Sequence, residues 1–199
     1  QRADRRVVVV FQKCGIVKGP QQLAATQELH PQKFVVDVEP QGLGRRVKVR
    51  SINEQRKPFV GPAGQLLDKI LQAGDFDPEQ DVYITNSVFR MPPGDDGKSF
   101  RKPNDAEIEY YRPFVLEIVR LINPHIVLLT GNVACQSILK KTGITSLRGQ
   151  WTKIESHWIM PIYHPSYLLR NQSREPGSPK AQMWEDIKEV RRKYDELAA

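Results

Sequence analysis

Short runs of consecutive apolar residues recur along the chain and predict the strands of a buried sheet. Each run is too short for a helix, and such runs are typical of strands whose two faces are both covered. They lie at residues 6–11, 33–38, 81–86, 125–131 and 158–163. A basic segment, residues 43–57, forms either a loop or a further strand over residues 47–52.

Between these runs, apolar residues recur at steps of three and four, which is the spacing of one helix face. This spacing predicts a helix over residues 65–71, which Gly74 ends, and a C-terminal helix. Asn104 and Glu107 form a capping-box pattern before another helix. Asn132 is expected to cap a helix over residues 133–141. The buried face of the C-terminal helix is predicted to carry Met183, Ile187, Val190, Tyr194 and Leu197.

The alternation of strands with helices predicts an α/β fold. Strands with nearly continuous apolar sequences occur in parallel sheets that helices cover on both faces. We therefore expect three layers, α/β/α, around a central, mostly parallel sheet of four to five strands. The 199 residues are enough for one hydrophobic core, and we expect a single domain over residues 1–199.

Polar residues stand at the carboxyl ends of the predicted strands. In a parallel sheet these ends meet at one edge, where ligands bind. A carboxylate, an amide and an imidazole could therefore converge on one rim. The residues concerned are Asp37, Glu39 and Pro40, then Asn86, then Thr130, Gly131 and Asn132, and finally His164 and Pro165.

The charge of the chain adds a candidate partner. Its formal net charge is +7, and basic residues concentrate in residues 45–57. This suits DNA, because each neutralised phosphate releases counterions, although a basic surface without a nucleic-acid partner explains the charge equally well. No apolar run approaches the roughly 20 residues that cross a bilayer, and no signal-peptide pattern is present. We therefore expect no membrane partner.

Three segments resemble family 4 of the uracil-DNA glycosylase superfamily. Residues 58–68 (PFVGPAGQLLD) are similar to the segment with that family's base-stacking Phe, and residues 82–86 (VYITN) to its strand ending in a uracil-reading Asn. Residues 163–170 (YHPSYLLR) are similar to its active-site His and minor-groove loop. The resemblance implies the uracil-DNA glycosylase fold from about residue 34 onward. Shorter matches follow the family's order at residues 111–114, 147–151 and 184–186.

The resemblance implies a role for each segment. Phe59 would stack on a base flipped out of the DNA, and the Asn86 amide would match the O4 and N3–H edge of uracil but not cytosine. Neutral His164 would donate to O2 and stabilise the charge on the leaving base. Leu168 and Leu169 would either fill the space left by the base or pack in the core. The implied DNA-contacting residues are Pro165, Ser166, Tyr167, Leu168, Leu169 and Arg170, the last on a phosphate.

The cysteines of family 4 are missing from this chain. That family carries a 4Fe–4S cluster on four cysteines, whereas this chain has two, Cys14 and Cys135. The matching positions hold Phe89, Arg90 and Met91 in one loop and Tyr111 further on. We expect no cluster, no other metal and no cofactor. Packing should then hold the loop over residues 87–103, through Phe89, Met91 and Phe100.

The first motif of the family is also altered. Residues 37–42 (DVEPQG) stand where family 4 has Gly-Glu-Ala-Pro-Gly, so Val38 replaces the Glu. Glu39 takes the position of the water-activating Asp of family 1 enzymes. We therefore predict Glu39 as general base or stabiliser of the sugar cation, with Asp37 second, and Gly42 at the uracil.

Two functions fit these observations. One is a monofunctional DNA-repair glycosylase that flips uracil out of single- or double-stranded DNA and hydrolyses its N-glycosidic bond, leaving an abasic site. The other is a catalytically inactive glycosylase-fold module that binds DNA or serves as a replication scaffold. A nucleotide-binding protein of another kind would need a Gly-rich phosphate loop, which the sequence lacks. We expect a monomer, alone or within a larger polypeptide or replication complex, in a prokaryotic or viral cytoplasm or a eukaryotic nucleus.

Overall fold

Seven strands are present in the computed structural model, which describes residues 7–11, 36–38, 47–49, 61–96 and 99–198. They form a five-stranded sheet in the order β4–β1–β5–β7–β6 and a separate pair, β2–β3. In the larger sheet β4, β1, β5 and β7 are parallel, and β6 is an antiparallel edge strand. This confirms the predicted central, mostly parallel sheet. The strands are β1 (Val7–Phe11), β2 (Val36–Val38), β3 (Val47–Val49), β4 (Val82–Asn86), β5 (Ile126–Thr130), β6 (Thr152–Ile154) and β7 (His157–Ile162).

Helices cover both faces of the larger sheet. They are α1 (Pro62–Ala73), α2 (Asp105–Ile122), α3 (Gly131–Leu139), α4 (Ile144–Leu147), α5 (Pro165–Arg170) and α6 (Pro179–Glu196). Side chains of α1, α5 and α6 share one core cluster with Val7 and Val9 of β1. Those of α2 and α3 share a second cluster with Val8 and Val10. Successive side chains of β1 thus enter opposite layers, which confirms the three-layer arrangement.

The helix boundaries follow the predicted signals at several ends. In the capping box of α2, Asn104 Oδ1 accepts from the amide of Glu107 at 2.9 Å, and Glu107 Oε2 accepts from the amide of Asn104 at 2.8 Å. Gly74 is the C-cap of α1. The predicted stripe of α6 faces the core, with Met183 and Ile187 at 2% and 0% exposure. Within the described residues, no helix is both long enough and apolar enough to cross a membrane.

The prediction that Asn132 caps the helix over residues 133–141 is wrong. The N-cap of α3 is Thr130, and Asn132 already lies inside the helix. Its Oδ1 instead accepts from the amides of Gly143 and Ile144, at 3.0 and 2.8 Å. Those two amides stand at the start of α4 and need an acceptor. The side chain of Asn132 therefore joins α3 to α4.

The second predicted strand does not belong to the central sheet. Among the described residues β2 pairs with β3 alone, in antiparallel register, with Asp37 opposite Lys48. Antiparallel strands can pair through a short connection, which the segment between them provides. The prediction that Asp37 and Glu39 leave a strand of the parallel sheet is therefore wrong. Of the two alternatives for residues 47–52, the strand is present at Val47–Val49.

Candidate active site at the carboxyl edge of the sheet

The carboxyl ends of four parallel strands meet at one edge, and two predicted site residues lie there. Asn86 is the last residue of β4, and His164 follows the end of β7. β1 and β5 lie between those strands. With about 4.8 Å per strand spacing, the two backbones stand roughly 14 Å apart. Asn86 and His164 thus lie on either side of the ends of β1 and β5, on the edge where the sequence predicts them.

The amide of Asn86 is buried and incompletely bonded. Its side chain is 2% exposed, and its Oδ1 has no hydrogen-bond partner within the described structure. The hydroxyls of Thr85 and Ser87, both 0% exposed, also lack partners there. A buried acceptor left unpaired costs about 1–3 kcal/mol, so most buried polar atoms in a folded protein have a partner. The Oδ1 of Asn86 can therefore accept a hydrogen bond, and none of the described residues donates one to it.

The hydrogen bonds of His164 fix its tautomer. His164 is the N-cap of α5, and its Nδ1 accepts from the backbone amide of Ser166 at 3.1 Å. The Oγ of Ser166 lies 2.7 Å from the same nitrogen. A backbone N–H can only donate, so Nδ1 carries the lone pair and the ring proton is on Nε2. The resemblance implies a neutral imidazole that donates a hydrogen bond, and this arrangement leaves Nε2–H as the donor.

Gly131 gives the ring of His164 its space. Gly131 has φ +81°, and a Cβ built on it would stand 3.1 Å from Cβ of His164 and 3.8 Å from its Cγ and Cδ2. An L side chain would therefore be strained by the backbone and pressed against Cβ of His164, with the ring atoms in ordinary van der Waals contact. The sequence predicts Gly131 on the rim but gives it no role, because a close approach between strand ends leaves no local pattern.

A buried ion pair lies next to the strand that carries His164. Arg148 Nε donates to Asp186 Oδ2 at 2.8 Å, and its Nη2 bonds the other carboxylate oxygen and, at 2.9 Å, the carbonyl of Gln182. The side chain of Asp186 is 2% exposed and that of Arg148 18%. Burial raises the pKa of Asp186, and the Arg148 guanidinium acts in the opposite direction. The pair joins the segment after α4 to α6.

The same cluster contacts the last buried residue before His164. Tyr163 donates from its hydroxyl to Gln182 Oε1 at 2.9 Å, and the guanidinium carbon of Arg148 lies 5.7 Å from its ring centre. We call Arg148, Asp186, Gln182 and Tyr163 the brace. It holds the end of β7 against α6. Residues 147–151 and 184–186 matched the family in sequence, but their order along the chain was the only signal and gave no role.

The residues of α5 divide between core and surface. Pro165 and Leu168 are buried, and Leu168 is only 2% exposed. The core alternative therefore applies to Leu168, and its assignment to a DNA-contacting surface does not agree with this position. Tyr167 is 38% exposed, Leu169 is 36% exposed, and Arg170 is also exposed. DNA contact by these three residues, and by Pro165 and Ser166, remains a prediction.

Four predicted site residues fall wholly or partly outside the described residues. Glu39, Gly42 and Phe59 lie outside the described residues. Asp37 lies in β2, where the structure describes the backbone only. Their roles remain predictions from the resemblance.

The residues present do not fit an iron–sulfur cluster. Arg90, Met91 and Tyr111, at the positions matched to cluster ligands, line a pocket of about 430 Å³, and none of them offers a thiolate. The rings of Phe89 and Tyr111 pack edge to face at 5.5 Å. Cys135 is 0% exposed in the core, and burial raises its pKa to about 12. An aromatic contact thus takes the place of metal ligation in this region.

Further contacts hold the loop between β4 and α2. Arg101 donates to both carboxylate oxygens of Glu107, at 2.9 and 2.7 Å. The backbone of Gly94 donates to Ser99 at 2.8 Å. Phe100, predicted to pack the loop, is 41% exposed and contributes a backbone bridge to Pro93 instead. Of the predicted packing residues, Phe89 has the clearest contact with the rest of the fold.

Known proteins resemble the region that carries this edge. The model of the uracil DNA glycosylase superfamily matches residues 46–188. A type-4 uracil-DNA glycosylase of Thermotoga maritima is 37% identical over 124 residues, which are 60% of each chain. The type-4 enzyme of Archaeoglobus fulgidus is 33% identical over 130 residues, 60% of this chain and 62% of its own. A DNA polymerase of Bacillus phage SP01 is 32% identical over 116 residues, 58% of this chain and 12% of the polymerase.

The extent of these matches bears on the site. The match spans about three fifths of each of these two glycosylases and a small part of the polymerase. The family model includes Phe59, Asn86 and His164, but it begins after Asp37 and Glu39. Since the family model covers well over half of the chain, from residue 46 to residue 188, this chain belongs to the uracil-DNA glycosylase superfamily.

Proposed function

We propose that this chain is a monofunctional uracil-DNA glycosylase acting in base excision repair. It would hydrolyse the bond between uracil and deoxyribose and leave an abasic site. The observation that carries the proposal is the hydrogen bond from the Ser166 amide to Nδ1 of His164, which leaves Nε2–H as the donor. It lies on the same sheet edge as the Asn86 Oδ1, which has no partner among the described residues. A fixed donor and a buried acceptor on one rim suit a flipped base.

Asn86 would select the base. Its Oδ1 would accept from N3–H of uracil, and its Nδ2 would donate to O4. Cytosine presents an acceptor at N3 and an amine at C4, so both hydrogen bonds would be lost. Because the amide is 2% exposed, water cannot readily replace a missing partner. Sites of this kind reject a mismatched analogue strongly, since their buried polar groups are left unpaired.

His164 would stabilise the leaving group. As the bond between C1′ and N1 breaks, the electron pair passes to the base and negative charge develops on O2. A hydrogen bond from Nε2–H of His164 would stabilise that charge without proton transfer. Removing one such donor typically lowers kcat by about 100- to 1,000-fold. Water would then add to C1′ of the sugar cation and lose a proton to the general base of the protein.

The remaining roles rest on the resemblance. Glu39, with Asp37 as the alternative, would orient the water or stabilise the cation. Phe59 would stack on the uracil, and Gly42 would line the base pocket. Leu169 would fill the space left by the flipped base, with Tyr167 and Arg170 on the DNA backbone. We propose that the chain acts as a single domain and a monomer, on its own or as a segment of a larger polypeptide.

A labelled oligonucleotide with one uracil tests the proposal. After incubation, alkali cleaves the strand wherever the base has been removed. We expect cleavage with the wild-type chain and about 100- to 1,000-fold slower excision with His164→Ala. His125→Gln is the matched control, since His125 stands at the opposite end of the parallel strands, just before β5. Absence of cleavage where a known glycosylase succeeds, or full activity of His164→Ala, would contradict the proposal.

A second candidate function is a glycosylase-fold DNA-binding module without catalysis. The altered first motif and the similarity to a phage DNA polymerase favour it. Such a module would bind DNA in a salt-dependent manner, and His164→Ala would leave this binding unchanged. Excision that depends on His164 would eliminate this candidate.

A further inference from the structure

A groove of about 230 Å³ lies between α1, α5 and α6, next to the predicted DNA-contacting residues. Its floor is apolar and includes Ile70 of α1, Met183 of α6 and Leu168 of α5. Leu168 is buried, while the next two residues, Leu169 and Arg170, are exposed. The groove therefore begins directly beneath the segment that is expected to meet DNA.

The rim of the groove is cationic. Lys69 of α1, Arg174 of the α5–α6 connection and Lys180 of α6 line it. None of the described residues that line the groove is acidic. Lys180 bonds the neutral side chain of Gln172. The nearby Glu185 is paired with Lys188 at 2.8 Å. The groove thus brings together cations from three separate chain segments, with no acidic side chain among its described lining residues.

An exposed aromatic ring stands among these cations. Trp184 is 44% exposed and forms part of the groove wall. An indole of this kind is large for a solvent-exposed position. Lys188 Nζ lies 5.9 Å from the centre of its ring, and the exposed part of the indole can stack on a nucleobase. Stacked rings beside cations that follow a backbone are the usual arrangement for binding single-stranded nucleic acid.

We infer that this groove binds DNA next to the flipped nucleotide, with a base against Trp184 and phosphates at Lys180, Arg174 and Lys69. The inference extends the DNA-binding part of the proposed function. Binding of an acidic protein segment would also account for the cations. It would not account for the position of the groove directly beneath α5. Charge complementarity and continuity with α5 together favour a strand of DNA.

Binding of oligothymidylate tests the groove, because this DNA contains no uracil and reports affinity without chemistry. The variant Arg174→Ala/Lys180→Ala should weaken binding about tenfold and reduce the slope of log K against log salt by roughly 0.7 for each lost phosphate contact. Trp184→Ala should also weaken binding about tenfold but leave the slope unchanged, since stacking releases no counterions. Circular dichroism confirms that each variant is folded.

Lys141→Ala/Lys153→Ala is the matched control, because it removes the same charge elsewhere. Lys141 follows α3 on the opposite layer, and Lys153 lies on the edge strand β6, over Trp158 at 5.3 Å. We expect the salt slope of the control to match the wild type. Equal slopes for the groove variant and this control would overturn the inference. So would a polyglutamate peptide that loses affinity for the groove variant while DNA does not.

The excision assay separates this inference from the proposed function. If the wild type does not excise uracil but the groove variant shows the reduced salt slope, only the proposed activity is rejected. If the wild type excises uracil but the groove variant binds oligothymidylate as the control does, only DNA binding by the groove is rejected.

Discussion

Gly131 is a residue whose identity is set by a neighbour distant in sequence. Both Gly131 and Gly177 have left-handed backbones, with φ of +81° and +80°. A Cβ on Gly131 would stand 3.1 Å from His164, whereas nothing lies within 4 Å of one on Gly177. The two positions therefore separate backbone strain from contact with the imidazole.

This pair gives a first prediction. Gly131→Ala and Gly177→Ala should each lose about 1–2 kcal/mol of stability from the left-handed backbone. Only Gly131→Ala should also reduce uracil excision, by about tenfold or more, because it displaces His164. Thermal unfolding and single-turnover excision measure the two effects. Equal excision rates for both variants would show that Gly131 does not position the ring.

Cys135 gives a second prediction at this scale. Its thiol is 0% exposed, and burial raises its pKa to about 12, so almost no thiolate is present near neutral pH. In a Cys14→Ser background, we expect a chromogenic disulfide reagent at about pH 8 to leave Cys135 unmodified until denaturant is added. Rapid modification of the native chain would contradict the packing of α3.

At the scale of elements, the brace couples α6 to the end of β7. Removing one partner leaves the other buried and unpaired, which typically costs about 3–5 kcal/mol. We expect Arg148→Met and Asp186→Leu each to lose stability on this scale, and the double variant to recover much of it. Urea unfolding of the four proteins completes the cycle. Additive losses would show that the two side chains do not act as a pair.

The pH dependence of Arg148→Met follows from Asp186. Burial raises the pKa of Asp186 above its ordinary 3.8, so the folded chain holds the proton more tightly than the unfolded chain. The stability linked to this group is complete below the unfolded value and is lost as the pH rises through the folded value. Because Arg148 lowers that pKa, its removal enlarges the loss. Arg148→Met should therefore be less destabilised near pH 4.5 than near pH 7, measured by urea unfolding at both values.

The longer elements were predictable from sequence, and the shorter ones were not. The strands of the parallel sheet appear as continuous apolar runs, and the helices α1, α2 and α6 have enough apolar positions to show a period. β6 and α4 have three and four residues, too few for any period to appear. β2 had the composition of a central strand, but composition does not reveal the pairing partner. Asn132 followed the capping rule locally, yet two unpaired amides of another element compete for its oxygen.

At the scale of the whole molecule, part of the candidate site was predictable from sequence and part was not. Asn86 and His164 could be placed on one edge because parallel strands put their carboxyl ends together. The brace could not be found, because Arg148 and Asp186 are 38 residues apart and neither belongs to a periodic pattern. Tertiary contacts of this kind decide how firmly His164 is held, and a single sequence does not encode them in any local signal.

The loss of the cluster cysteines gives the last prediction, which concerns the whole fold. Where family 4 uses metal, this chain packs Phe89 on Tyr111 and pairs Arg101 with Glu107. We expect the purified protein to lack the visible absorption of an iron–sulfur cluster, and iron chelators to change neither its melting temperature nor its DNA binding. Phe89→Ala should instead speed proteolysis within residues 87–103, because it removes the aromatic contact. Leu121→Ala is the control, since Leu121 lies near the other end of α2 and is 67% exposed. A melting temperature that falls with chelator would mean that metal, rather than this packing, holds the loop.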